Sequence, residues 1–299
     1  VDSQGMVSIA DVASALRPDT VLISIMHANN EVGTIQPLTE IAALARTRGI
    51  RVHTDAAQSA GKIPVDVSAM GVDLLSLAGH KLYAPKGVGV LWIRKGVMLE
   101  TFMHGAGQET GRRAGTENIL EIVGLGKACE IAARNLEDNW RHMQAMRDRL
   151  QAGITAAVAD VRLNGHPDKR LPNTLSISFR NLEANRLLEA IGPEVAASAG
   201  AACHAGSVAV SHVLKAMAVP VEWAMGTLRL TTGRMTTAEE VDRALARALL
   251  ARRGPCRGRR TSRHGARLPD REPAAARRAA GARARHLRRL GAHRGRGDG

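Results

Sequence analysis

Short apolar runs alternate with amphipathic stretches along the first part of the chain. Residues 21–27 (VLISIMH) form a β-rich apolar run. Residues 39–49 (TEIAALARTRG) place Ile41, Leu44 and Ala45 on one face and stop at Gly49, the pattern of a helix. Residues 50–55 (IRVHTD), 73–79 (DLLSLAG) and 87–93 (GVGVLWI) return to the strand signal. Strands separated by a helix of this length predict βαβ units of a parallel sheet, in which ligands sit beyond the carboxyl ends of strands. His27-Ala28-Asn29-Asn30, Thr54-Asp55 and Gly79-His80-Lys81 all fall at such ends. Polar groups from three strands are therefore expected to converge on one crevice.

The texture changes after Asn118. The stretch beginning ILEIVGLGKACEIAAR reads as one or two amphipathic helices, LPNTLSISF (171–179) as an alternating strand, and AEEVDRALARALL (238–250) as a final helix. The expected organisation is a large α/β domain over 1–118, a smaller α+β domain over 119–250, and a tail over 251–299. Cys129 lies within an amphipathic helix and reads as a small apolar residue.

Composition adds class and location. At 299 residues and 44% hydrophobic content the chain can bury a sizeable core. It has no apolar run of the roughly 18 residues that a membrane span needs, and no signal-peptide pattern at its start. A cytoplasmic protein without a membrane partner is expected. Its three cysteines, Cys129, Cys203 and Cys256, are too scattered for a disulfide framework.

The net charge of +14 suggests nucleic acid until it is located: residues 251–299 hold 16 Arg against two Asp and one Glu, and so carry +13 of it. That tail has no aromatic residue and only three Leu, too little apolar area to offset the entropy of ordering it. It is expected to be disordered. A basic arm would bind nucleic acid nonspecifically, yet stacking aromatics and a recognition motif are missing. An Arg/Ala/Gly/Pro mixture without Lys is also what GC-rich DNA yields out of frame, and a frameshift product or spurious extension is the favoured reading.

Motifs supply the chemistry. HANNEVGTIQP (27–37), HTDAAQSAGKIPVD (53–66), GHKLYAPKGVG (79–89), GAGQETGRRAGTEN (105–118), SAGAACHAG (198–206) and LRLTTGRMTTAEEVD (228–242) follow one another along the chain. In order and spacing they resemble the cysteine desulfurases, enzymes of the class V aminotransferase group that use pyridoxal 5'-phosphate (PLP). The resemblance covers residues 1 to about 250. It implies the PLP-dependent transferase fold type I, with a mostly parallel large domain and a smaller α+β domain, and a homodimer with shared sites.

The resemblance also assigns roles. Lys81 is similar to the lysine that holds PLP as a Schiff base. Asp55 matches the carboxylate that keeps the pyridine nitrogen protonated; on its own it would equally read as an N-cap for a helix begun by AAQSA. Gln58 resembles the donor to the phenolic oxygen, and Asn30 another contact. At the phosphate the sequence departs from the family, because Ala78 stands where a serine is common, although His80 remains. Thr116 matches a phosphate contact supplied by the partner subunit. The family's own phosphate loop, at a helix N-terminus, and the histidine that stacks on the ring are expected upstream of Val1.

Cys203 lies in a small-residue segment that reads as a mobile loop. It matches the thiol that takes sulfur from L-cysteine as a persulfide and leaves L-alanine. Arg229 resembles the clamp for the substrate carboxylate, a task that suits its bidentate fork. His27, His53 and His104 lack the spacing of a closed metal site, so no metal is expected. The implied function is cysteine desulfuration for an iron–sulfur scaffold or another sulfur acceptor. The alternatives are a selenocysteine lyase and, in another class, a noncatalytic fragment with a basic nucleic-acid-binding tail.

Overall fold

The strands and helices expected in the first half assemble into one sheet with helices packed against it. The structure is a computed structural model and describes residues 1–204 and 207–253. After helix α1 (Ile9–Ala15), β1 (Leu22–Ser24) passes through α2 (Leu38–Arg46) into β2 (Arg51–Asp55), and α3 (Val67–Met70) leads into β3 (Leu74–Ala78). Both passages give parallel neighbours, with Leu22 opposite Arg51 and His53 opposite Leu74. Strand β4 (Gly89–Ile93) runs antiparallel to β3, because the link between them is shorter than the dozen or so residues that a crossover needs.

Helix α2 shows how local pattern becomes packing. Leu38, Ile41, Ala42 and Ala45 recur at helical spacing and are buried against Ile23, Ile50, Val52, Val72 and Leu75. Ala42 completes this face, whereas Leu44, which the sequence pattern placed on it, is only half-buried. Gly49 ends the segment at φ +67, a left-handed conformation that glycine adopts without a Cβ clash.

Beyond the short α4 (Gln108–Gly111), the amphipathic stretch resolves into two helices, α5 (Ile119–Arg134) and α6 (Leu136–Ala157). Cys129 sits on α5 and packs partly buried in a cluster with Ala60, Leu82 and Leu125, and burial pushes its thiol pKa up. A second sheet follows, built from β5 (Val161–Leu163), β6 (Thr174–Phe179), β7 (Ser198–Ala199) after α7 (Ala184–Ile191), and β10 (Thr227–Thr231). Its order is β5-β6-β10-β7. Strands β8 (Ala201–His204) and β9 (Ser207–Val210) pair separately, and α8 (His212–Ala216), α9 (Val221–Ala224) and α10 (Ala238–Arg253) complete the order.

Two sequence expectations change here. Strand β6 does not alternate between core and solvent; all six residues are buried. Its apolar side meets Leu150, Ile154, Leu228 and Val241. Its polar side is buried too because the hydroxyls find partners: Asn164 donates to Ser178 Oγ at 2.8 Å, and Ser178 Oγ lies 2.7 Å from Thr227 Oγ1. The Cys203 segment is a β-hairpin rather than a loop, with Cys203 opposite Val208, since its alternating small residues can pair as strands. The side chain of Cys203 lies outside the described residues, as do Cys256 and the tail from residue 254 onward. Helix α10 continues to Arg253, past the boundary expected at 250. Val1–Gly254 form one compact unit. Among the described residues no helix is long and apolar enough to cross a membrane.

Candidate functional site

The turn that carries Lys81 is fixed from below. Strand β3 ends at Ala78, and residues Gly79–Leu82 form a single 3-10 turn. The Gly79 N–H donates to Val88 O at 2.9 Å. A Cβ on Gly79 would come within 2.8 Å of that same oxygen, so only glycine permits the approach. Leu82 is buried against Ala60 and Leu125 on one side of the turn. Lys81, the preceding residue, is left exposed at the carboxyl end of β3.

Neighbouring strand ends deliver the other polar groups. At the end of β2, Asp55 Oδ1 accepts the Ala57 N–H at 2.7 Å and starts the turn that contains Gln58. No helix forms over AAQSA, so Asp55 nucleates a turn instead of capping a helix. After β1, Asn29 Oδ1 accepts the N–H groups of Glu31 and Val32 at 2.8 and 2.9 Å, which sets the path of the backbone at Asn30. From the second sheet, Arg229 on β10 donates through Nη1 to Asn30 O at 2.7 Å and through Nη2 to Ser198 Oγ at 3.0 Å. Its Nε is buried and has no hydrogen-bond partner.

These groups bound one cleft of about 480 Å³, lined by Asn30, Gln58, Lys62, His80, Lys81 and Arg229 among others. The volume lies in the range of small-molecule sites, roughly 300–1,000 Å³. Five of the residues singled out from sequence are thus brought together: Asn30, Gln58, His80, Lys81 and Arg229. Asp55, at the end of β2, and Thr116, exposed in the 105–118 segment, do not line it. His27 is held in the core by Ser59 Oγ at 2.9 Å, and His53 lies between Ser24 and Ser76 at 2.8 and 3.2 Å.

Lys62 is a cleft residue that the sequence reading missed, although it follows Gln58 by one helical turn's spacing. Its Nζ donates to Gln58 O at 2.8 Å. Burial, aided by the charge of Lys81, pushes its pKa down to about 8 from an ordinary 10.5. The unfolded chain therefore holds a proton between pH 8 and 10.5 that the folded chain releases. Stability contributed at this position is expected to rise with pH through that window, because the cost of a buried ammonium is full only below about 8. Denaturant unfolding at both ends of the window, compared with Lys62→Met, checks this: the variant should lack the gain. An equal gain in both proteins would show that other groups supply it.

The donor set, with Lys62, Lys81 and Arg229 beside Asn30 and Gln58, is cationic and amide-rich, suited to a ligand that carries a phosphate or carboxylate. A phosphorylated aldehyde such as PLP fits these residues: Lys81 has the amine to bind its carbonyl, and Gln58, Asn30 and His80 could donate around it.

Comparison with known proteins places the fold. Over 246 residues the chain is 49% identical to the cysteine desulfurase IscS of Methanosarcina thermophila, covering 82% of this chain and 61% of that protein. It is 46% identical over 248 residues to the cysteine desulfurase NifS of Azotobacter vinelandii, again with 82% and 61% covered. The chain thus spans about three fifths of the length of these curated relatives. Among solved structures it is similar to a NifS-like protein, with a TM-score of 0.77 and 38% identity over 84% of this chain and 66% of that one. It is also similar to SspA in complex with cysteine, with a TM-score of 0.64 and 35% identity over 79% and 65%. The α/β fold type I expected from the motifs is borne out by these likenesses. Residues 1–244 match the family model described as Aminotransferase class-V, and the chain belongs to that family.

Proposed function

We propose that the protein is a PLP-dependent cysteine desulfurase that converts L-cysteine to L-alanine and holds the sulfur as a persulfide on Cys203. The observation that carries this reading is the meeting of Lys81 and Arg229 in one cleft: an exposed amine at a strand end and a guanidinium line the same cavity. When bound, PLP supplies an electron sink for the carbons of an amino acid.

The chain's own residues divide the remaining work. Lys81 would anchor the cofactor through its amine, Gln58 would donate to the phenolic oxygen, and Asn30 would add a further contact. Asp55, at the end of β2, would supply an anion for the pyridine nitrogen, and His80 would donate to the phosphate, joined in a homodimer by Thr116 of the other copy. Arg229 binds the substrate carboxylate, oriented by Asn30 O and Ser198 Oγ. Cys203 then forms an S–S bond as the C–S bond of cysteine breaks, and the proton its thiol gives up is balanced by the one gained at the new methyl group of alanine. The persulfide sulfur passes to an acceptor such as an iron–sulfur scaffold, in the cytoplasm.

The two curated relatives named above are both cysteine desulfurases, which does not favour the selenocysteine lyase alternative. The basic-tail alternative concerns residues outside those described. The test is a single turnover with PLP and L-cysteine, followed by quantification of alanine and mass analysis of the Cys203 peptide. One alanine should form per sulfur atom added to that peptide; alanine formed without sulfur on Cys203 would overturn the mechanism.

A further inference from the structure

Tyr83 is a non-glycine residue in the left-handed region, at φ +63, two positions after Lys81. Strain of this kind persists only where surrounding contacts hold it, and it concentrates at functional sites. Its backbone N–H donates to Gly79 O, which closes the Lys81 turn. The side chain reaches across to the segment that follows β10. There the Arg234 guanidinium lies 4.3 Å from the ring centroid of Tyr83. The Arg234 N–H also donates to Tyr83 Oη at 3.3 Å. Gly233 makes room for this contact, since a Cβ there would stand 2.9 Å from the phenolic oxygen.

Both ends are tied down. On the Arg234 side, Gly233 N–H donates to Thr236 Oγ1 at 2.9 Å, His142 Nε2 lies 2.8 Å from Thr236 O, and Thr232 Oγ1 donates to Met143 O at 3.1 Å, which moors the segment to α6. Among the described residues no carboxylate pairs with Arg234, so the ring is the partner its charge has. Behind the contact a cavity of about 40 Å³ is lined by Lys62, Lys81, Tyr83 and Arg234. The contact thus joins the turn that bears Lys81 to the continuation of the strand that bears Arg229.

We propose that Tyr83 and Arg234 form a latch that sets the spacing between Lys81 and Arg229, and so determines how well the cleft accepts an amine that also carries an α-carboxylate. This rests on the proposed function, in which Lys81 holds PLP and Arg229 the carboxylate. Arg234 lies outside the cleft lining and is a positioning residue, whereas Tyr83 also lines the cleft, so Arg234→Ala is the variant that tests the latch free of any direct contact with the ligand. Half-exposed, the pair adds little to stability.

The experiment compares two probes that differ only in the carboxylate, L-alanine and ethylamine. Each is titrated by absorbance into the PLP-loaded chain, its Tyr83→Ala, Tyr83→Phe and Arg234→Ala variants, and the double alanine variant. PLP uptake should stay within about twofold throughout, while affinity for L-alanine falls about fivefold in each alanine variant, the scale of a modest cation–π contact. Ethylamine binding should not change. Tyr83→Phe, which keeps the ring, should retain most of the L-alanine affinity. The double variant should be no worse than either single one, because both remove the same contact. Equal losses for the two probes, additive losses, or no loss at all would overturn the latch while leaving the parent reading intact. A parent chain that takes up no PLP at Lys81 would overturn the parent reading, and the latch with it.

Discussion

Lys81→Ala is expected to abolish covalent retention of PLP and to lower cysteine-dependent alanine release by on the order of 10³-fold or more, the scale of removing a covalent catalytic group. The cleft makes this a sharp test because it holds two lysines. Lys62, with a pKa of about 8, is neutral more readily than an ordinary lysine and would on that ground be the better nucleophile. Geometry decides against it: its Nζ is committed to Gln58 O at 2.8 Å, whereas Lys81 is exposed at the end of β3. Borohydride reduction followed by peptide mapping should therefore place the pyridoxyl group on Lys81 in the parent chain and leave the variant unlabelled. A pyridoxyl group on Lys62 in the parent would reassign the anchor.

How much of this was legible in the sequence follows from the range of the forces involved. Strands β2 and β3, helix α2 and the Lys81 turn are written in local periodicity and in glycines whose positions tolerate no side chain, and the sequence reading located all of them. The convergence of Asn30, Gln58, His80 and Lys81 was legible as well, because a parallel sheet places its strand ends together whatever their spacing along the chain, whereas Arg229 arrives from the second, antiparallel sheet and only the resemblance pointed to it. What stayed hidden depends on partners distant in sequence. Strand β6 looked half-buried because Ser176 and Ser178 are polar, and nothing local reveals that Asn164 and Thr227 satisfy its hydroxyls. The pairing of Tyr83 with Arg234 spans 151 positions, and the cost to Lys62 of its burial arises only once the cleft is assembled. The Cys203 segment misled in the other direction. Small residues suggested a loop, yet Ala201–His204 and Ser207–Val210 pair, since alanine, cysteine and valine meet no steric obstacle to an antiparallel ladder.

That hairpin bears on the second large effect. Its base is anchored beside Arg229: Gly200 N–H donates to Thr227 O at 2.7 Å, Ser211 N–H donates to Gly200 O at 2.9 Å, and Ser198 on β7 pairs with Arg229 itself. A substitution at Cys203 therefore changes a residue carried by this arm while leaving intact the backbone that orients the carboxylate clamp. Cys203→Ser should accordingly keep PLP uptake and L-alanine affinity within about twofold of the parent, because serine is nearly isosteric with cysteine and neither binding step uses the thiol. Alanine release from L-cysteine should fall on the order of 10³-fold, since an alcohol at neutral pH offers almost no anionic nucleophile, whereas an ordinary thiol is already about a few per cent thiolate and sulfur is intrinsically far more nucleophilic. Measuring binding and release on the same preparation separates the two. Retained binding with lost release locates sulfur transfer at Cys203, and substantial alanine release by the serine variant would remove the persulfide from the mechanism.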